Sequence, residues 1–147
     1  MNICFIFTNY NNSLLSINAI LSIWQIVDGE KPNIIIIDNN SELKEEELLR
    51  KFLSENSDEN LHFLFEENNV GYFRGLNIGI RYSKTLDTQF DYTVVGNNDL
   101  IFPNHFLKTL LKNTILYKGY PVISPNIITL DNINQNPHLI KRISIFR

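Results

Sequence analysis

Asn33-Ile34-Ile35-Ile36-Ile37-Asp38 constrains the fold of this chain more than any other stretch. Four consecutive β-branched residues have no polar side, so a strand built from them must be covered on both faces, as inner strands of parallel sheets are. Parallel neighbours need crossover connections, and the flanking sequence supplies them. Ile3 to Phe7 is another short β-branched and aromatic run, closed by the polar cluster Thr8-Asn9-Tyr10-Asn11-Asn12, and reads as a strand followed by a loop. From Ser13 onward Leu14, Ile17, Leu21 and Trp24 recur at helical spacing, Ile20 and Val27 widen the stripe, and Asn11 or Asn12 can cap its start. Gly29 and Pro32 stop this helix before the isoleucine run, completing a βαβ unit.

The alternation continues. Glu42 to Phe52 is acidic and helix-prone, with Leu43, Leu48, Leu49 and Phe52 as its apolar face and its charges in solvent. Leu61 to Phe65 is the third strand, and Asn69-Val70-Gly71 turns into a segment whose Gly75 and Gly79 let a helix approach a sheet or ligand closely. Phe90 to Gly96 is the fourth strand, Phe106, Leu107, Leu110 and Leu111 mark the next helix, and Pro121 to Ser124 is a final short strand. Beyond Pro125 the sequence is Asn-rich and turn-prone, and Leu139 to Arg147 has no clear period. These 147 residues predict one α/β domain, an αβα sandwich with a mostly parallel, Rossmann-like sheet.

Composition narrows the function classes. At 44% hydrophobic and 20% charged residues the chain is an ordinary globular one, and a net charge of -3 gives no basic footprint for nucleic acid. Cys4, the one cysteine, lies inside an apolar run, which excludes a disulfide framework and points to a reducing, cytoplasmic setting. Met1 to Phe7 lacks a basic n-region and a cleavage site, and no stretch approaches the ~18 apolar residues of a membrane span. Peripheral contact with the inner face of a membrane stays open. His62, His105 and His138 have no metal-site spacing.

Four polar segments follow the strands and would gather at one sheet edge, where open α/β sheets bind ligands: Asn9-Tyr10-Asn11, Asp38-Asn39-Asn40-Ser41, Asn69 to Asn77, and Asn97-Asn98-Asp99. Asp38 can accept the N3-H of a uracil or thymine, a charge-assisted bond worth about 1.5 to 3 kcal/mol, or roughly ten- to a hundredfold in affinity. Asp99 can hold Mg²⁺ or Mn²⁺ while a bound diphosphate supplies further oxygens. Asn97 can offer only an amide, and Arg74 and backbone amides are candidates for anion contacts. Tyr10 can stack on a base. Each residue also has a purely structural alternative: a capping turn at Asn97 to Asp99 or at Asp38, packing at Gly75 and Gly79, a solvated charge at Arg74, a filled strand edge at Tyr10.

In these segments the chain resembles the family 2 glycosyltransferases of the GT-A fold over roughly residues 2 to 125. Phe5 to Asn11 looks like the family's first strand with its loop at the nucleobase, and Ile35 to Ser41 like its apolar strand with Asp-Asn-x-Ser, whose acid binds the base. Asn69-Val70-Gly71-Tyr72-Phe73-Arg74-Gly75-Leu76-Asn77-Ile78-Gly79 is similar to the stretch typical of a rhamnosyltransferase-like branch, and Gly96-Asn97-Asn98-Asp99 takes the place of the Asp-x-Asp metal motif. The resemblance implies a nucleotide-sugar site made of Asn9, Tyr10, Asn11, Asp38, Asn40, Asn69, Gly71, Arg74, Gly75, Asn77, Asn97 and Asn98, with Asp99 on the metal. It implies inverting transfer of a sugar from a UDP- or dTDP-sugar to a saccharide or lipid-linked acceptor, as in polysaccharide biosynthesis.

Inverting transfer in the family also needs a carboxylate base well downstream of the metal motif. Asp131 is the only acid after Asp99 and matches that role poorly, so the catalytic base is unassigned. The sequence therefore reads as a donor-binding core over residues 1–125 with the incomplete start of an acceptor-side region over 126–147. A competing reading is a nucleotide-sugar-binding module without turnover, acting with a partner chain or as an oligomer. Response-regulator and phosphatase domains are disfavoured by the lack of acids after the first strand, nucleotidyltransferases by the lack of a Gly-rich basic loop there, and dinucleotide-binding domains because the glycines follow the third strand.

Overall fold

The computed structural model describes residues 2–27 and 29–135. Four strands, β1 (Ile3–Asn9), β2 (Asn33–Asp38), β3 (Leu61–Phe65) and β4 (Tyr92–Asn97), form one parallel sheet in the order β3-β2-β1-β4. The isoleucine run lies between β1 and β3, and its four side chains are wholly buried. The chain steps from β1 to β2 to β3 through α1 (Ser13–Gln25) and α2 (Leu43–Glu55), then returns past β1 through α3 (Tyr72–Ser83) to reach β4. Right-handed crossovers running in opposite directions put α1 and α2 on one face and α3 on the other.

Side chains follow this division. Cys4 and Ile6 of β1 and Ile35 and Ile37 of β2 cluster with Leu76 of α3. Burial in this apolar layer pushes the Cys4 thiol up to about 12, which leaves it a packing residue. Phe5 and Phe7 alternate to the opposite face, where Phe5 meets Phe102 edge-on with ring centroids 5.2 Å apart. Two glycines let α3 lie flat on the sheet. A Cβ on Gly75 would come within 2.5 Å of the Thr8 methyl, and one on Gly79 would overlap Ile6 and reach 2.7 Å from Ile37.

Several features differ from the sequence expectation, among them β4, which starts at Tyr92 rather than Phe90, Leu43 and Leu48 of α2, which are exposed, and Asn12, which precedes α1 without a side-chain cap. β1 runs two residues further, through Thr8 and Asn9, because these polar residues pair with Ile37 and Asp38 of β2 and are buried. The inward face of α1 is Ser13, Ser16, Ala19, Ile20, Ser22 and Ile23, whereas Leu14 and Leu21 are exposed. Buried serines are tolerated because their hydroxyls find partners, Ser16 on Asn9 Oδ1 at 2.8 Å and Ser22 on the Ala19 carbonyl at 2.8 Å. Pro121 to Ser124 forms no strand; Pro121 lacks an N–H, and Val122 is exposed.

The described residues divide into two compact units on either side of the Thr109–Leu110 bond, the first holding the sheet. Helix α4 (Phe106–Lys112) falls at the division, and the second unit holds α5 (Thr114–Tyr117) and an isolated antiparallel bridge between Ile128 and Asn134. Residues 136–147, including His138 and the aperiodic stretch from Leu139, lie outside the described residues.

Candidate functional site

Reversal of strand order at β1 leaves a crevice at the carboxyl ends of β1 and β4, the position where open α/β sheets take ligands. A cavity of about 280 Å³ occupies it. From β1 it is lined by Thr8, Asn9 and Tyr10; Asn39, the first residue beyond β2, adds to that wall. Asn69 and Tyr72 come from the segment leading into α3, and Asn97 and Asn98 from the end of β4. Each of the four post-strand segments thus contributes, and the lining is neutral: amides, one hydroxyl and two phenols.

Beneath it lies a buried polar network centred on Asn9. Its Nδ2 donates to Asp38 Oδ1 at 2.7 Å and Ser41 Oγ at 3.2 Å, and its Oδ1 accepts from Ser16 Oγ and from Asn98 Nδ2 at 3.1 Å. Asn98 Nδ2 also reaches Ser16 Oγ at 2.9 Å and the Asn12 carbonyl at 3.3 Å. The ends of β1, β2 and β4 and the start of α1 are tied together by this one set of bonds. A second tie joins the loops after β1 and β2. Asn11, at φ 54°, accepts from the Glu42 N–H at 2.7 Å and donates its own N–H to Ser41 Oγ at 2.9 Å. The Ser13 N–H donates to Glu45 Oε2 at 2.9 Å, and this bond holds the Glu45 carboxyl below its ordinary value.

Asp38 is fully buried and belongs to this network. Its Oδ1 accepts from Asn9 Nδ2 and from Ser41 Oγ at 2.6 Å, and its Oδ2 from the Ser41 N–H at 3.0 Å. Asp38 has no exposed surface and lies outside the cavity lining, to which the residue beside it, Asn39, belongs. Strand alternation at the end of β2, carried one residue further, would have pointed to Asn39 in the sequence.

Asn40, at φ 61°, is exposed and outside the lining, as are Gly71, Arg74 and Asn77 around α3, while Gly75 is buried against Thr8. Asn69 Oδ1 accepts from the Gly71 N–H at 2.9 Å and shapes the turn into the helix. Thr8 and Tyr72 are further lining residues that the sequence argument left out. Tyr72 opens α3, immediately after the turn, and that position was its available signal.

Asp99 is exposed and takes no hydrogen bond or ion pair among the described residues. Burial, and after it the negative charge of Asp99, push the Tyr72 phenol above its ordinary value, so the acid's field reaches the cleft wall. No group of three or more His, Cys, Asp or Glu side chains among the described residues could enclose a metal ion. A cation here would therefore have fewer than three such side chains to hold it and would take its remaining ligands from other oxygens.

A model of Glycosyl transferase family 2 matches residues 4–138. Among solved structures, the chain is similar to the mannosyltransferase PcManGT from Pyrobaculum calidifontis in complex with GDP-Man and Mn2+, with a TM-score of 0.63 and 16% identity over 87% of this chain and 36% of that one. It is also similar to S. aureus TarS 1-349 in complex with UDP-GlcNAc, with a TM-score of 0.59 and 16% identity over 90% of this chain and 42% of that one. The chain thus spans less than half the length of these structures, and at such identity the likeness speaks to fold. No curated protein sequence matches it.

Proposed function

Because the chain belongs to glycosyl transferase family 2 and has the GT-A fold, we propose that it binds a UDP- or dTDP-sugar in the cleft between β1 and β4. The sugar passes, with inversion, to a saccharide or lipid-linked acceptor. The observation that carries this reading is the cleft itself: a switch-point crevice with a neutral, amide-rich wall and two tyrosines, followed in the chain, directly after the lining residue Asn98, by an exposed carboxylate with no partner among the described residues, Asp99. Amides and phenols suit a heterocycle and hydroxyls, which offer donors and acceptors without charge. An uncompensated acid beside them suits a ligand that arrives with its own cation.

Asp99 is the carboxylate for Mg²⁺ or Mn²⁺, with the Asn97 amide beside it. A cation there would neutralise the diphosphate leaving group. Arg74 and the amides at the start of α3 supply further positive potential. Tyr10 stacks on the base, and Asn9, Asp38 and Asn98 act beneath the cleft by holding its wall in place. The stretch from Asn69 to Gly79 favours a deoxyhexose such as rhamnose, and a reducing, cytoplasmic setting suits the single buried thiol. No helix among the described residues is long and apolar enough to cross a membrane.

A second reading, donor binding without turnover, is favoured by one observation: the carboxylate of Asp131, which the sequence offers as a poor match to the base, accepts from the Thr129 hydroxyl in a local turn. Calorimetric titration with UDP and dTDP, with and without Mn²⁺, tests the donor site: metal-enhanced binding is expected, and no binding of either nucleotide would refute it. Donor hydrolysis or transfer in the same sample separates turnover from binding alone.

A further inference from the structure

Charge is distributed unevenly along this chain. Residues 1–99 hold fifteen of the sixteen acids against seven bases, whereas residues 100–130 hold no acid and three lysines, Lys108, Lys112 and Lys118. In the sheet unit Lys31, Lys44 and Lys51 each stand 3.0–3.8 Å from a carboxylate oxygen. In the second unit Lys112 and Lys118 are exposed and have no ion pair among the described residues. Large apolar side chains lie in solvent beside them. Ile115 of α5 is 85% exposed and Val122 83%, and Leu111, Leu116 and Tyr120 are exposed as well. Helix α5 follows α4 with no intervening loop, since the Asn113 N–H donates to the Leu110 carbonyl at 3.3 Å and the Asn113 carbonyl accepts from the Tyr117 N–H at 3.1 Å. Leu111, Lys112, Ile115, Leu116 and Lys118 therefore recur at spacings of three and four, which brings them to one side.

We propose that this unit docks on an anionic lipid bilayer, with Leu111, Ile115 and Leu116 entering the headgroup layer and Lys112 and Lys118 meeting the lipid phosphates. Exposed branched apolar side chains interleaved with lysines, and free of acids, are the composition of an element that lies in a membrane interface: the apolar groups reach the acyl boundary while lysine stems follow them and keep their ammonium groups at the phosphates. Charge selects the lipid, because an anionic surface attracts the acid-free segment and repels the acid-rich residues before it. A nucleic acid would meet the lysines and leave Ile115 and Leu116 in water. The contact is peripheral, since no helix among the described residues is long and apolar enough to cross a membrane. Docking of this kind stands whether or not the cleft binds a donor, and it is read without nucleotide.

The test is co-sedimentation of the full chain with vesicles of phosphatidylglycerol and phosphatidylcholine, set against vesicles of phosphatidylcholine alone. Binding to the anionic vesicles is expected at about 0.1 M salt and should fall steeply at about 1 M, where the screening length shrinks from about 10 Å to about 3 Å. Lys112→Gln and Lys118→Gln should each lower the partition coefficient about fivefold. Ile115→Ala should lower it about tenfold, through lost apolar burial in the interface. Lys44→Gln, an exposed charge of the sheet unit, should leave it unchanged. Ile115, Lys112 and Lys118 are all exposed, so an unchanged unfolding midpoint confirms that each variant is folded.

Equal binding to both kinds of vesicle would overturn the proposal, and so would an unchanged partition coefficient in Ile115→Ala, which would leave the apolar half of the surface without a role. Binding to single-stranded DNA as tight as to the anionic vesicles would overturn it in favour of a general polyanion site. Failure to bind vesicles at all would also overturn it, and sedimentation velocity would then show whether a second copy covers the face, as a dimer that Ile115→Asp splits.

Discussion

Replacing Asp38 with Asn separates a residue that builds the cleft from one that touches its ligand. The side chain keeps its shape, and its Oδ1 can still accept from Asn9 Nδ2 and Ser41 Oγ. The new Nδ2 faces the Ser41 N–H at the 3.0 Å now spanned by a hydrogen bond, placing donor against donor in a site with no exposure. Stranding a buried donor costs about 1–3 kcal/mol, and two bonds losing their charge assistance add about 2 kcal/mol, for a total of about 3–5 kcal/mol. Domains of this kind have about 5–15 kcal/mol in all. At a urea m-value of about 1–3 kcal/mol/M the unfolding midpoint should fall by about 2 M. Trp24, the chain's one tryptophan, stacks on Phe52 with centroids 5.8 Å apart and reports the transition by fluorescence. A midpoint unchanged from the unmodified chain, together with a tenfold or greater loss of UDP affinity, would refute the reasoning. The carboxylate would then be committed to the ligand, as the sequence alone suggests.

Four other outcomes follow from the same geometry. Asp99→Ala should leave the unfolding midpoint where it is and abolish the enhancement of UDP binding by Mn²⁺; enhancement that survives would acquit Asp99 as the ligand. Gly79→Ala should lower Tm, because overpacking against Ile6 and Ile37 at about 1–3 kcal/mol outweighs the helix-propensity gain of about 1 kcal/mol, and a raised Tm would contradict this. Asn98→Ala removes the donor shared by Asn9, Ser16 and the Asn12 carbonyl, so about 1–3 kcal/mol should be lost in denaturant titration, with weaker UDP binding. His62 is held below its ordinary value by burial, with Asp58 opposing, so its neutral form is favoured in the folded chain. Its contribution is present in full above the unfolded value near 6.5 and is lost as pH falls from there toward the lower folded value, so stability should decline below about pH 6.5 and the decline should flatten in His62→Asn.

The strands were legible where burial alone decides. The isoleucine run appears where its side chains say it should, because a strand covered on both faces leaves a local signature, and Leu61 to Phe65, half-buried at the sheet edge, is marked by its aromatic residues and the turn signals around it. Thr8 and Asn9 did not, since their place in β1 depends on partners 29 residues away in β2. Helix α1 hid its inward face for the same reason: Ser16 and Ser22 are buried by virtue of bonds to other parts of the fold, which no periodicity displays. At the site, the gathering of four loops followed from the βα alternation. The burial of Asp38 and the place of Asn39 in the cavity wall were only half legible: alternation along β2 says that the two leave opposite sides of the strand, but which side meets the cavity is set by how the helices pack on the sheet.

A mouth wired through a single amide has kinetic consequences. Asn9, at the end of β1, bonds to β2, to α1 and, through Asn98, to the end of β4, so one side chain couples these strand ends. Native-state hydrogen exchange should find the Asn11, Ser41 and Asn39 amides opening together as one cooperative unit with a common free energy, distinct from fraying at the periphery. A ligand entering such a mouth meets a rigid frame and spends little of its interaction energy on ordering the protein.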